Sequence, residues 1–132
     1  IHLITVPMAD PDENAAIANA IQRSSAVIVQ KSLAEGFGLT VTEGMWKGRP
    51  VVAGAVGGIQ DQIVDGECGL LVDPRDLGAF GTAVAGLIAD PARAERLGVA
   101  ARDRVRERFL ASRHLAQYLE LFTRLGATAQ PG

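Results

Sequence analysis

The sequence predicts an α/β fold: a parallel sheet with flanking helices, followed by further helices at the C-terminal end of its 132 residues. Three observations predict it. Short, unbroken apolar runs alternate with stretches of helical periodicity, which is the pattern of buried parallel strands joined by crossover helices. Acid–proline pairs at Asp10-Pro11, Asp73-Pro74 and Asp90-Pro91 recur ahead of the helical stretches and supply their starts. The 48% hydrophobic content is largely alanine and accompanies 15 glycines, a composition suited to helices packed closely on a sheet.

Residues 2–7 are a β-rich apolar run and read as a first strand. Asp10-Pro11-Asp12-Glu13 then gives an N-cap acid, a first-turn proline and a carboxylate at N3, so a helix is expected to about Arg23, burying Ala16, Ile17, Ala20 and Ile21. Ala26-Val27-Ile28-Val29 reads as a strand covered on both faces. Helical spacing resumes from Leu39 to Lys47, and Gly48-Arg49-Pro50 stops it because glycine accepts the left-handed conformation past a helix end. Val51-Val52-Ala53 is the next strand, a short helix runs from Gly57-Gly58 to Ile63, Asp65-Gly66 turns the chain, and Gly69–Val72 is a fourth strand.

The remaining stretch reads as helices. Asp73-Pro74 leads one with Leu77, Phe80, Val84, Leu87 and Ile88 as its buried stripe; Asp90-Pro91 leads another, carrying Leu97, Ala101 and Val105. Ser112 caps the last, with Leu115, Leu119 and Phe122 on one face before Gly126, and the tail to Gly132 is expected to fray.

Composition excludes several function classes. A net charge of −2 and few aromatics give little electrostatic basis for nucleic-acid binding, which needs clustered cations. The arginine-rich segment from Arg93 to Arg124 reads as solvated helix faces. The longest apolar-leaning stretch, Leu77–Ala89, is interrupted by glycines and too short to span a bilayer. The single cysteine, Cys68, has no partner for a disulfide or a C-x-x-C site and no activating base, which fits a reducing, cytoplasmic setting. His2 and His114 lack metal-ligand spacing and read as surface or packing residues; no metal site is expected, and no cofactor. The opening Ile1-His2-Leu3 lacks the charged start of a signal peptide and reads as part of something longer.

The segment Gln30–Glu43 follows a buried strand and opens a helix, the position beyond the carboxyl ends of parallel strands where α/β folds bind ligands. Gly36 and Gly38 allow close backbone approach, and the amides of Leu39, Thr40 and Val41 at the helix start carry partial positive charge suited to a diphosphate. Glu35 and Glu43 flank the bend, where carboxylates can accept hydrogen bonds from paired hydroxyls. Equally, Glu43 can be an acid at a helix N-terminus and Glu35 a solvated loop acid. The spacing misses the third glycine of the dinucleotide fingerprint, which argues against a nicotinamide cofactor. Trp46 and Met45 read as packing residues more than an acceptor wall, and Gly57-Gly58 as either a tight turn or a second helix start facing a ligand.

Glu35-Gly36-Phe37-Gly38, with Glu43 separated from Glu35 by seven residues, resembles the Glu-x7-Glu motif of retaining GT-B glycosyltransferases of the group 1 type. Gly48–Ala53, Val56–Ile59 and Asp65-Gly66-x-x-Gly69-Leu70-Leu71-Val72 fit the same family in order and spacing. Val29–Ser32, Thr40–Lys47 and Gly58–Gly66 resemble its trehalose synthase and trehalose phosphorylase branch. The resemblance implies a Rossmann-like, partial C-terminal domain of a GT-B fold over residues 1–132, with no essential metal. It implies a catalytic role for Glu35 on the transferred glucosyl unit and ribose binding by Glu43. Gly36, Phe37 and Gly38 would line the sugar and phosphate, Leu39 and Thr40 would meet the diphosphate, and Pro7-Met8 would lie near the nucleobase.

The implied partners are a nucleotide diphosphate glucose and a sugar acceptor held by an N-terminal domain missing here. The family's phosphate-binding basic pair would lie before Ile1, and Lys31 does not replace it, so no turnover is expected from this chain alone. In the usual strand order the four expected strands would be the third to sixth of the half-domain. The first would then lack its neighbour, so a homodimer or a rearranged sheet is expected. Two other readings stay open: a non-catalytic nucleotide-sugar-binding or oligomerisation module, and half of a trehalose phosphorylase.

Overall fold

A computed structural model describes residues 2–5 and 9–128. Its elements in order are α1 (Pro11–Ser24), β1 (Ile28–Gln30), α2 (Leu39–Trp46), β2 (Val51–Gly54), α3 (Ile59–Gln62), β3 (Leu70–Val72), α4 (Leu77–Ala89), α5 (Pro91–Arg108) and α6 (Ala111–Thr128). The strands form one parallel sheet in the order β1-β2-β3, with Ile28 opposite Val51 and Val52 opposite Leu70. The α/β prediction holds, with helices on both faces of the sheet.

Strand β2 is the centre of the core and is buried along its whole length. Side chains alternate across a strand, so Val51 and Ala53 join Ile28, Val41, Met45, Ile59, Ile63, Ala101 and Val105 on one face, while Val52 joins Phe80, Leu87 and Leu97 on the other. Helix α2 packs on β1, β2 and α5; helix α4 covers β2 and β3 from the opposite side. Full burial of such aliphatic side chains contributes about 1.5–3 kcal/mol each, and β2 with its neighbours holds most of them.

Helix ends follow the local chemistry. The Asp10 carboxylate accepts from the amides of Asp12 and Glu13 at 2.9 and 3.1 Å, and Asp90 accepts from that of Arg93 at 2.9 Å. Gly48, at φ 67°, ends α2 with its N–H on Met45 O (2.9 Å) and the Arg49 N–H on Gly44 O (3.1 Å), the paired bonds of a Schellman stop. Gly98 of α5 approaches this turn so closely that a Cβ there would lie 2.2 Å from Gly48 O.

Several expectations are corrected. Residues 2–5 form no strand and are exposed, so the unpaired first strand that argued for a homodimer does not arise from them; the remainder of that run, with Pro7-Met8, lies outside the described residues. Helix α1 buries none of its residues, and Ile17 and Ile21 face solvent. The strand expected at 26–29 starts at Ile28, and Val29 is exposed because nothing among the described residues covers that side of β1. The Asp73-Pro74 pair makes a turn in which Asp73 accepts from Arg75 N–H; Asp76 caps α4 instead. Leu77 and Ile88 of the α4 stripe are exposed. Ser112 lies inside α6, which runs through Gly126, and Leu115, Leu119 and Phe122 are all exposed.

Candidate functional site

Strand β1 ends at Gln30, and residues 31–38 cross the carboxyl edge of the sheet before α2 begins at Leu39. Gly38 sits at the helix entry with φ 86° and ψ 63°, left-handed backbone that glycine adopts without steric penalty. A Cβ there would also meet Ile59 Cγ1 at 3.0 Å. Its carbonyl accepts from the amides of Val41 at 3.0 Å and Thr42 at 3.4 Å. Those bonds begin the helical ladder, so Leu39 and Thr40 stand ahead of it with their amides at the positive end of the helix dipole. No side chain caps this end. The Val41 amide, expected to be free as well, is used inside the helix.

The two acids are held by amide side chains. Glu35, part-buried in the bend, accepts through Oε2 from Gln30 Nε2 and Ser32 Oγ, both at 3.3 Å, while Gln30 Nε2 also donates to Ser32 Oγ at 2.8 Å. Glu43, one turn into α2 and exposed, accepts through Oε2 from Gln22 Nε2 of α1 at 2.8 Å. Lys47 Nζ donates in turn to Gln22 Oε1. Neither carboxylate is a freely solvated loop acid, and Glu43 ties α1 to α2.

A second loop supports the first. Gly58 N–H donates to Gly36 O at 3.0 Å, and a Cβ on Gly57 would lie 1.8 Å from Glu35 O. The glycine pair is therefore a contact surface for the Glu35–Gly36 backbone. Phe37 is half-exposed and meets Phe109 edge-on, with ring centroids 6.1 Å apart. From beneath, the buried Gln62 side chain donates to Phe37 O and accepts from Thr42 Oγ1 at 2.6 Å. Arg104 of α5 donates to the carbonyls of Asp61, at 2.8 Å, and Gln62.

Sequence reasoning missed Gln62, Gln22, Gln30, Ser32 and Arg104. Arg104, expected on a solvated face, instead donates its guanidinium to the C-terminal carbonyls of α3. Gln62 carried one legible signal: a polar residue set between Ile59 and Ile63 at core spacing. Met45 is core, and Trp46 lies under the Arg102 guanidinium at 5.7 Å, on the side of α5. A cavity of about 810 Å³ opens at the other end of the strands, lined by Ala26, Arg49, Pro50, Glu95 and Arg102 among others. None of the predicted site residues lines it. Among the described residues no helix is long and apolar enough to cross a membrane.

The arrangement is suited to a ligand that carries negative charge at the bend and hydroxyls to either side. Exposed helix-start amides stabilise oxyanions without a cation, and the flanking carboxylates accept from hydroxyls.

A family model described as glycosyl transferases group 1 matches residues 6–104. The chain is 50% identical over 108 residues to the trehalose synthase of Pyrococcus horikoshii, covering 82% of this chain and 26% of that protein. It is 46% identical over 107 residues to that of Rubrobacter xylanophilus, covering 81% and 25%. It thus spans about a quarter of the length of the curated relatives it matches. Among solved structures, sucrose-phosphate synthase from Thermosynechococcus elongatus superposes with a TM-score of 0.76 at 37% identity, over 94% of this chain and 30% of that one. The C-terminal domain of a group 1 family glycosyl transferase from Francisella tularensis gives 0.71 at 27% identity, over 81% and 53%. S. aureus TarM, solved in a complex that includes UDP, gives 0.72 at 27% identity, over 80% and 22%.

Proposed function

The chain belongs to the glycosyl transferases group 1 family, and on that premise we propose that residues 1–132 are the donor-binding C-terminal part of a retaining GT-B glycosyltransferase. Its reaction is transfer of glucose from a nucleotide diphosphate sugar to a sugar acceptor, of the trehalose-synthesis type. The observation that carries this reading is the bend at 35–38, with left-handed Gly38 presenting the Leu39 and Thr40 amides beyond the sheet's carboxyl edge. Those amides and the backbone of Gly36, Phe37 and Gly38 receive the diphosphate. Preorganised dipoles of this kind stabilise charge that develops on a leaving group. Glu43 accepts from the ribose hydroxyls, and Glu35 contacts the transferred sugar.

Trehalose synthases about half identical to this chain support the substrate class, and a relative solved with UDP supports the donor chemistry. Those relatives are about three times as long, which leaves room for an acceptor-binding domain outside these residues. A second reading, an interaction module, draws on the uncovered apolar faces of α1 and α6.

Thermal melting with UDP-, ADP- and GDP-glucose tests the proposal. A ligand bound only by the folded chain at about 100 times its Kd adds about 2.7 kcal/mol. One of the three is expected to raise Tm. Glu43→Ala should weaken both the sugar nucleotide and the bare nucleoside diphosphate about tenfold, or about 1.4 kcal/mol. Glu35→Ala should weaken the sugar nucleotide alone. No shift with any donor favours the interaction module.

A further inference from the structure

Gln62 is fully buried, and it is the one buried polar or charged side chain in the described core. An apolar residue of the same size would fill that space without needing hydrogen-bond partners. The amide has them at both ends, and both lie in the bend or in the first turns of α2. Nε2 donates to the carbonyl of Phe37, one residue before Gly38, and Oε1 accepts from Thr42 Oγ1 at 2.6 Å, four residues after Gly38. The amide orientation is fixed by chemistry, since a peptide carbonyl can only accept.

We propose that Gln62 is a positioning residue that sets the direction of the Leu39 and Thr40 amides by clamping the chain on both sides of Gly38. The inference rests on the donor-site reading above. Gly38 has φ 86° and no Cβ, so its own stereochemistry restrains the bend weakly. A clamp that spans it supplies the missing restraint. The clamp is itself anchored: Arg104 of α5 bonds the carbonyls of Asp61 and Gln62, so the brace stands on a helix that buries Leu97, Gly98, Ala101 and Val105.

The polarity of the clamp gives the decisive variant. Gln62→Glu places a carboxylate oxygen against the Phe37 carbonyl, and only the protonated acid can donate there. The charged and titratable groups that bond at residue 62 or lie on the bend and helix start it clamps include Arg104, Asp61, Cys68, whose Sγ lies 4.0 Å from Gln62 O, Glu35 and Glu43. All of them are shared by wild type and variant, so a difference between their pH profiles reports on residue 62.

The experiment uses the full chain labelled with nitrogen-15, titrated with UDP, ADP, GDP and inorganic pyrophosphate, with amide exchange measured without ligand. In wild type the Leu39 and Thr40 amide signals are expected to shift with a nucleoside diphosphate. Gln62→Leu should weaken that binding at least tenfold and speed exchange at residues 37–42 selectively. Gln62→Glu should bind at least tenfold more weakly than wild type at pH 8 and approach wild type at pH 5.5. The comparison is made with wild type at each pH, so that titration of the ligand's terminal phosphate, whose pKa is about 6, cancels; this arm stands even if Gln62→Leu fails to fold. Binding unchanged in a folded Gln62→Leu overturns the inference and leaves the donor site intact. Exchange that rises evenly over the whole sheet overturns it too, because a merely structural role predicts that result. A wild type that responds to none of the four ligands sinks the donor-site reading and the inference together.

Discussion

Helices α5 and α6 are both 18 residues long and both amphipathic, yet they have opposite fates. Helix α5 buries Leu97, Gly98, Ala101 and Val105 between α2 and α4. Helix α6 has the cleaner apolar stripe, with Leu115, Tyr118, Leu119, Phe122 and Leu125 at helical spacing, and every one of them is exposed. Within α6 the stripe contacts itself, as in the Tyr118–Phe122 stack at 6.3 Å. Periodicity therefore states that a face is built for cover; it does not say that the cover belongs to the same stretch of chain.

The contrast can be broken by mutation. Leu97→Ala should cost about 3 kcal/mol from lost burial and a partly unfilled cavity, whereas Leu119→Ala should stay within about 0.5 kcal/mol; urea denaturation of the two variants measures the gap. Equal losses would mean that α6 is packed after all. Glycine substitutions sharpen the same point with opposite signs. Gly98→Ala forces a Cβ towards Gly48 O and should destabilise by about 2 kcal/mol, while Gly126→Ala, with open space around it, should stabilise by about 0.5 kcal/mol. The smallest expected effect is that of truncation after Leu110, which should leave Tm nearly unchanged because it removes little burial. Hydrogen exchange on the intact chain should agree, with α6 amides opening far more readily than those of α5.

Much of the fold could be read from local signals. Asp10 and Asp90 cap as their positions predict, Gly48 stops α2, and the apolar Val51–Ala53 run becomes the fully buried strand. Where local signals mislead, either the deciding element lies in another part of the chain or two local bonds compete. Val29 has the composition of a covered strand residue, but its exposure depends on which element lies beside β1. Asp73-Pro74 has the same letters as Asp90-Pro91, and a competing turn at Asp73 moves the cap to Asp76.

The bend divides in the same way. Glu35, the two glycines and Glu43 are contiguous, and their spacing made the segment visible. Gln30 and Ser32, which hold Glu35, are near it in the chain, but the other residues that hold the bend come from far away: Gln22 lies 21 residues from Glu43, Gln62 lies 25 from Phe37, and Arg104 lies 42 from Gln62. No local pattern encodes such partners. Gln62 alone betrayed itself, by interrupting an apolar spacing with a side chain that must find two hydrogen bonds once buried.

The contact between Gly57-Gly58 and the Glu35–Gly36 backbone has a mechanical consequence. With no side chain between them, the two loops touch peptide to peptide and share a hydrogen bond, so neither can hinge without carrying the other. Any closing movement around a guest must shift them as a single jaw, and a methyl group added at position 57 would press directly on the Glu35 carbonyl and prise the two loops apart.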